Sequence, residues 1–250
     1  MAELHRAFAT PVGDPAFDPE PVSDQDIDEW IAQARDSAQQ ALLALDRDLV
    51  RVPGHLRDDA VALLGRRDEI FARIAVPRPD AGGAFKTRYH GDLHLGQVLV
   101  VADDFFIVDF EGQPAQALEQ RRRKSSPLRD IAGMLRSINY AAVASVAGLT
   151  MDRAENVSAL EPLAQDWERR SAAAFLSGYQ ATIGDCPSYP KDAATARRLI
   201  DLFTLEKAFY EISYELANRP SWVRIPLEGI LRILGPDPHD RTTGDSATRD

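Results

Sequence analysis

His90-Gly91-Asp92-Leu93-His94-Leu95-Gly96-Gln97, and a little further on Val108-Asp109-Phe110-Glu111, are the stretches on which the reading of this chain turns. Around them lie short apolar runs, Lys86–His90, Val98–Val101 and Phe105–Phe110, whose length and residue types predict β-strands, with Asp103-Asp104 turning between the last two. A chain patterned only for packing does not place His90, Asp92, His94 and Gln97 between two strands. Asp92 and Gln97 stand five positions apart, Asp109 follows Asp92 by seventeen, and Glu111 emerges just beyond it.

Phosphoryl transfer accounts for this set. It needs a carboxylate to take the proton of the accepting hydroxyl, and hard oxygen ligands to hold magnesium against nucleotide phosphates. Protein kinases space a base Asp, an amide ligand five residues on, and a ligand Asp at the end of the next strand in the same way; here Gln97 stands where they carry Asn. His90 reads as a residue that orients the loop by hydrogen bonding, and His94 similarly. His-x-Asp-x-His is also half of a metallohydrolase site, but such sites need more imidazoles. The other histidines, His5, His55 and His239, fall in or near irregular or terminal segments.

Outward from this centre the pattern is helical. Residues 10–22 carry four prolines and read as an extended connector. Ser23 caps a helix whose apolar face is Ile27, Trp30, Ile31, Ala34, Ala38, Leu42, Leu45 and Leu49. A second helix is expected from Leu56 to Ile74, ending before Pro77 and a loop from Pro79 to Gly83. Downstream, helices are expected from Ser126/Pro127 through Ala142, through Leu163 to Tyr179, from Ala193 to Asn218 before Pro220, and over Leu227–Leu234. The expected fold is therefore mainly α with a small central β-hairpin insert. It occupies one domain, residues 1–234, followed by a disordered tail, 235–250.

A net charge of −10 argues against nucleic-acid and anionic-membrane partners. The most apolar stretch, Ala141 to Leu149, is far short of the roughly 20 residues needed to cross a bilayer, and no charged-then-apolar leader opens the chain, so a cytoplasmic setting is expected. Cys186, the single cysteine, cannot form an intrachain disulfide.

Three blocks closely resemble bacterial maltokinases, especially the maltokinase region fused to trehalose synthase: Arg88 through Leu99 with Val108-Asp109-Phe110-Glu111-Gly112; Lys124 through Ser137; and Glu206-Lys207-Ala208 with Tyr210-Glu211, Tyr214-Glu215, Asn218-Arg219-Pro220 and Trp222. The resemblance implies the carboxy-terminal lobe of an aminoglycoside phosphotransferase-like kinase, with ATP and Mg2+, and transfer of the γ-phosphate to maltose to give maltose 1-phosphate. It implies Asp92 as the base, Gln97 and Asp109 as magnesium ligands and Glu111 as their support. Arg129 and Arg136 would pair with the carboxylates of the catalytic hairpin. Gln113 departs from the family's Asp-Phe-Glu-Gly-Glu-Pro pattern.

Glu206, Tyr210 and Ser213 fall at helical i, i+4 and i+7, and Glu211, Tyr214, Glu215 and Asn218 form an adjoining stripe. Carboxylates hydrogen-bond sugar hydroxyls and aromatic rings cover apolar sugar faces, so Glu206, Lys207, Tyr210, Tyr214 and Trp222 are the candidate sugar contacts. Aromatic rings at helical spacing are equally at home in a core. Arg121-Arg122-Arg123-Lys124 reads either as a solvated loop or as a patch facing phosphate.

A kinase of this kind clamps its nucleotide with a lysine well upstream of the catalytic loop. The lysines here are Lys86, Lys124, Lys191 and Lys207, and the first ninety residues read as helices without Gly-x-Gly-x-x-Gly. The amino-terminal lobe is expected to be absent, leaving two functional classes: a catalytic lobe completed by a separately encoded lobe or a longer protein, trehalose synthase being one candidate partner, or a non-catalytic sugar-binding remnant. A kinase for another sugar or an amino sugar is a further alternative. An unpartnered lobe would expose an apolar face above the hairpin.

Overall fold

The computed structural model describes residues 1–75, 83–114, 116–150 and 157–236. The chain opens with α1 (Ala2–Phe8), runs through the proline-rich connector and pairs β1 (Glu20–Pro21) antiparallel with β2 (Phe85–Lys86). Ser23 then starts α2 (Asp24–Arg47) by a reciprocal cap: its hydroxyl accepts from the Asp26 N–H, and the Asp26 carboxylate accepts from the Ser23 N–H. Lys86 Nζ lies 2.7 Å from the same carboxylate, fastening β2 to the head of α2.

Ile27, Trp30, Ala34, Ala38, Leu42 and Leu45 are buried as the periodicity requires. Leu49 lies beyond the helix, which ends at Arg47, and packs partly buried against the same core from a tight 3-10 turn. The expected second helix is two: α3 (Arg57–Gly65) and α4 (Arg67–Ala75), broken at Arg66. The break turns the Arg66 guanidinium inward, where it donates to Gly235 O at 2.7 Å and pairs with Glu69, holding the end of the last helix. Most of the Pro79–Gly83 loop lies outside the described residues, as do His239 and the tail from 237 on; Gly235 is anchored.

Lys86–His90 is not a full strand: Phe85–Lys86 pairs with β1 and Thr87 bridges to Ser125. The hairpin itself is β3 (Val98–Val101) against β4 (Asp104–Ile107), with Val98 opposite Ile107 and Val101 opposite Asp104. Its turn is Ala102-Asp103, one residue earlier than expected, with φ of 47° and 66°; positive φ at both positions suits the right-handed strand twist.

After the one-turn α5 (Leu118–Arg121) come α6 (Leu128–Thr150), α7 (Val157–Ile183), α8 (Ala193–Asn218) and α9 (Arg224–Leu234). Helix α8, capped by Asp192, is the spine: Leu199, Phe203, Phe209 and Ile212 are buried where α2, α6 and α9 pack on it. Trp30 meets Phe203 edge to face at 5.5 Å. A smaller cluster of Leu93, Met134 and Ile138, with Val98 and Ile107 against it, seats the hairpin on α6. Its far end is bare: Val100 is 70% exposed and Phe105 68%, with Leu99, Val101 and Phe106 about half exposed. These exposed apolar side chains belong to the two strands of the hairpin itself. Among the described residues no helix is long and apolar enough to cross a membrane.

Candidate active site

The loop bearing Asp92 is held from beneath by Asp130, in the first turn of α6. Its carboxylate accepts from the backbone N–H of His90 at 2.7 Å and of Gly91 at 2.9 Å, and Asp130 is 1% exposed. Gly91 has φ of +85°, which side chains rarely tolerate, and a Cβ there would stand 3.2 Å from Gly112 Cα. His90 is likewise buried with both ring nitrogens engaged: Nε2 lies 2.8 Å from Val108 O, and Nδ1 accepts from the Asp92 N–H at 3.3 Å. The imidazole thereby stitches the Asp92 loop to the segment carrying Asp109. His94 caps the following 3-10 turn, its Nδ1 accepting from the Gly96 N–H.

Gly133 on α6 lets the loop sit this low, since a Cβ at that position would meet Leu93 O at 2.6 Å. Gly133→Ala must therefore lift the loop or tilt the helix. A stability loss of about 1–3 kcal/mol is expected by urea unfolding, as for overpacked cores. A loss under half a kilocalorie would show that the loop yields freely.

Gln97 and Asp109 meet directly, Gln97 Nε2 donating to Asp109 Oδ2 at 2.8 Å. β4 ends at Ile107 rather than running on to Phe110, and Asp109 itself takes φ of +67°. Asp tolerates that left-handed conformation better than most residues, and held strain of this kind clusters at functional sites.

Asp92 faces α8. Its Oδ1 lies 3.3 Å from Lys207 Nζ, and the two share a cavity of about 250 Å³ with Tyr89, Gln113, Glu206 and Tyr210. Burial pushes the Tyr89 hydroxyl up from its ordinary pKa, with Arg129 acting in the opposite sense, so it is a neutral donor in the cavity wall. The cavity adjoins a wider polar trough of about 1050 Å³, walled by Gln33, Asp36 and Gln40 of α2 on one side and by Arg122, Arg123 and Lys124 on the other. Of the basic run, Lys124 is committed to Glu20 at 2.6 Å.

Several sequence expectations are corrected. Arg129 does not pair with the hairpin's carboxylates: it forks onto Glu206 of α8 at 2.9 and 3.0 Å, reaches Gln33 of α2 and lies 4.3 Å over the Phe203 ring. Arg136 likewise binds Glu211 at 2.6 Å, in a buried pair with Asn139 beside it. Both arginines hold α6 to α8, because their positions on α6 face that helix. Glu111 is largely in solvent, its carboxylate 3.9 Å from the Arg121 guanidinium. Glu206, Lys207 and Tyr210 line the Asp92 cavity, but Tyr214 and Trp222 do not. Tyr214 lies further along α8, stacked on Tyr210, and Trp222 is stacked on Tyr140, with the Arg219 guanidinium 4.8 Å over the Trp222 ring. Burial, with Glu211 and Glu215 adding to it, pushes the Tyr140 hydroxyl far up.

Asp130 and His5 are the residues the sequence reading passed over. His5 sits buried on α1, with Nε2 3.1 Å from Asp130 Oδ2 and Nδ1 2.9 Å from the Tyr179 hydroxyl. The signal for Asp130 was available: an acid on the apolar stripe of α6, four residues before Met134. His5 had none, since its partners lie 125 and 174 residues away.

No family model matches the chain. It is 25% identical over 234 residues to the glucosamine kinase of Streptacidiphilus jiangxiensis, covering 93% of this chain and 47% of that protein. It is 28% identical over 176 residues to the glucosamine kinase of Mycolicibacterium smegmatis, covering 69% of this chain and 40% of that one. The chain thus spans about half the length, or less, of the curated relatives it matches. A glucosamine kinase structure in complex with glucosamine, ADP and inorganic phosphate superposes with a TM-score of 0.71 at 21% identity, over 94% of this chain and 49% of the other. A further crystal form of glucosamine kinase gives 0.71 at 22%, over 93% and 51%. The chain has the mostly helical, kinase-like fold found in about half of a glucosamine kinase, and its relatives are sugar kinases.

Proposed function

We propose that this chain is the acceptor-binding and catalytic part of an ATP-dependent sugar kinase, acting in the cytoplasm on an amino sugar of the glucosamine class. The observation that carries the reading is Asp92 on the wall of a sugar-sized polar cavity, joined through His90 to the segment where Gln97 meets Asp109. Asp92 takes the proton of the attacking hydroxyl, and Lys207 keeps it oriented and offers a positive charge to the arriving phosphoryl group. Glu206, Tyr210 and Gln113 supply acceptors and a ring face for the sugar. The amide at Gln113, in place of the family's carboxylate, lies in this cavity wall.

With Nε2 of Gln97 spent on Asp109 Oδ2, Gln97 Oε1 and Asp109 Oδ1 remain as hard oxygens, a donor set that fits Mg2+, which habitually takes one or two protein oxygens and completes its shell with phosphate and water. When bound there, the ion offsets negative charge on the nucleotide phosphates. Asp109→Asn removes one ligand charge and is expected to raise the magnesium needed for half-maximal transfer on the order of tenfold. An unchanged magnesium dependence would move the metal site elsewhere.

Lys86 and Lys124 are engaged with carboxylates and Lys207 with Asp92, so a further cationic group is proposed to clamp the nucleotide, with the bare hairpin face as its seat. A second acceptor reading, maltose, is favoured by the trough, which leaves room beyond the Asp92 cavity for another ring. The deciding assay offers glucosamine, glucose and maltose with ATP to the chain alone and to the chain with a lysine-bearing nucleotide lobe. Transfer to glucosamine first, and only with the lobe, is the expected result. Sugar binding without transfer in either case would make the chain a binding module.

A further inference from the structure

We propose that His5, on α1, is a positioning residue for the catalytic loop, acting through Asp130. The inference rests on the reading of Asp92 as the base. The chain of contacts is continuous: Tyr179 of α7 to His5 at 2.9 Å, His5 to Asp130 at 3.1 Å, and Asp130 to the backbone N–H groups of His90 and Gly91. Each link fixes the next. A carboxylate only accepts, so the Nε2 of His5 carries a proton toward Asp130, while Nδ1 stands within hydrogen-bond reach of the Tyr179 hydroxyl. Burial holds that hydroxyl protonated, and the two rings pack edge to face at 5.6 Å.

Asp130 has two oxygens and three donors to serve. Oδ1 takes Gly91, while Oδ2 takes His90 and His5 together. His5 thus sets the rotation of the carboxylate about its own axis, and that rotation sets where His90 and Gly91 sit. Through His90 it reaches both the Asp92 N–H and Val108 O. A histidine that merely filled the core would need no such pairing, and an aliphatic side chain would serve it as well. The consequence is that α1, remote in sequence from the loop, is part of the machinery that aims Asp92.

The test compares His5→Leu, His5→Gln and Tyr179→Phe in the 250-residue chain by hydrogen exchange at His90 and Gly91, and in the lobe-completed kinase by steady-state kinetics. His5→Leu is expected to speed exchange at both amides at least tenfold and to lower kcat about 10- to 100-fold, the range for partners that orient reacting groups, with KM for the sugar nearly unchanged. His5→Gln, which can both donate and accept, restores most of each; Tyr179→Phe moves both in the same direction by less. Unchanged exchange in folded His5→Leu, or faster exchange without a fall in kcat, overturns the proposal. Should His5→Leu fail to fold, unchanged exchange in Tyr179→Phe overturns it instead. The exchange measurement needs no catalysis, so a chain that phosphorylates no sugar at all would sink the functional reading while leaving the loop-positioning arm decided on its own data.

Discussion

Asp92→Asn, in the lobe-completed kinase, is expected to lower kcat for transfer to the sugar by about 10³-fold, within the range ascribed to a general base. The substitution preserves shape and removes only the capacity to take a proton and the charge facing Lys207, 3.3 Å away. Sugar affinity should hold within a fewfold, because Glu206, Tyr210 and Gln113 still line the cavity. Calorimetric titration of the sugar alongside steady-state kinetics separates the two effects. A kcat within tenfold of the parent would show that the hydroxyl proton leaves by another route, and Asp92 would then be a positioning group for Lys207.

Asp130→Ala is expected to cost about 3–5 kcal/mol of stability, since a buried and a partly buried backbone N–H each lose their acceptor at roughly 1–3 kcal/mol and the His5 donor is stranded as well. For a chain of this size the melting temperature should fall on the order of 10 °C. Asp130→Asn is the informative companion: its carbonyl oxygen can serve one N–H, while its amide group points donors at the other and at His5, so about half the loss should remain. Urea unfolding measures both. A loss below 1 kcal/mol for the alanine variant would mean that water enters and satisfies the loop, and the chain from His5 to Asp92 would then be broken at its centre.

The helices were legible because burial recurs with the helical period: Ile27 through Leu45 on α2 announce its buried face, and Ser23 announces its start. Breaks were not, since the kink at Arg66 depends on a carbonyl at Gly235 that no local pattern reveals. Strand Lys86–His90 was overread for a related reason. Its residues suit a strand, but among the described residues it is Lys86, next to Phe85, and Thr87 that pair as strand.

At the site, residue type and spacing alone singled out Asp92, Gln97 and Asp109, because the proposed chemistry restricts which side chains can serve and a short hairpin restricts how far apart they can stand. The partners of the arginines, the removal of Trp222 from the cavity, and the fastening of the loop by Asp130 and His5 were settled only in three dimensions. Local sequence carries the period of a helix and the reach of a hairpin; which faces of α1, α6 and α8 meet depends on how the whole core packs, and a contact spanning 125 residues leaves no trace in the order of its letters.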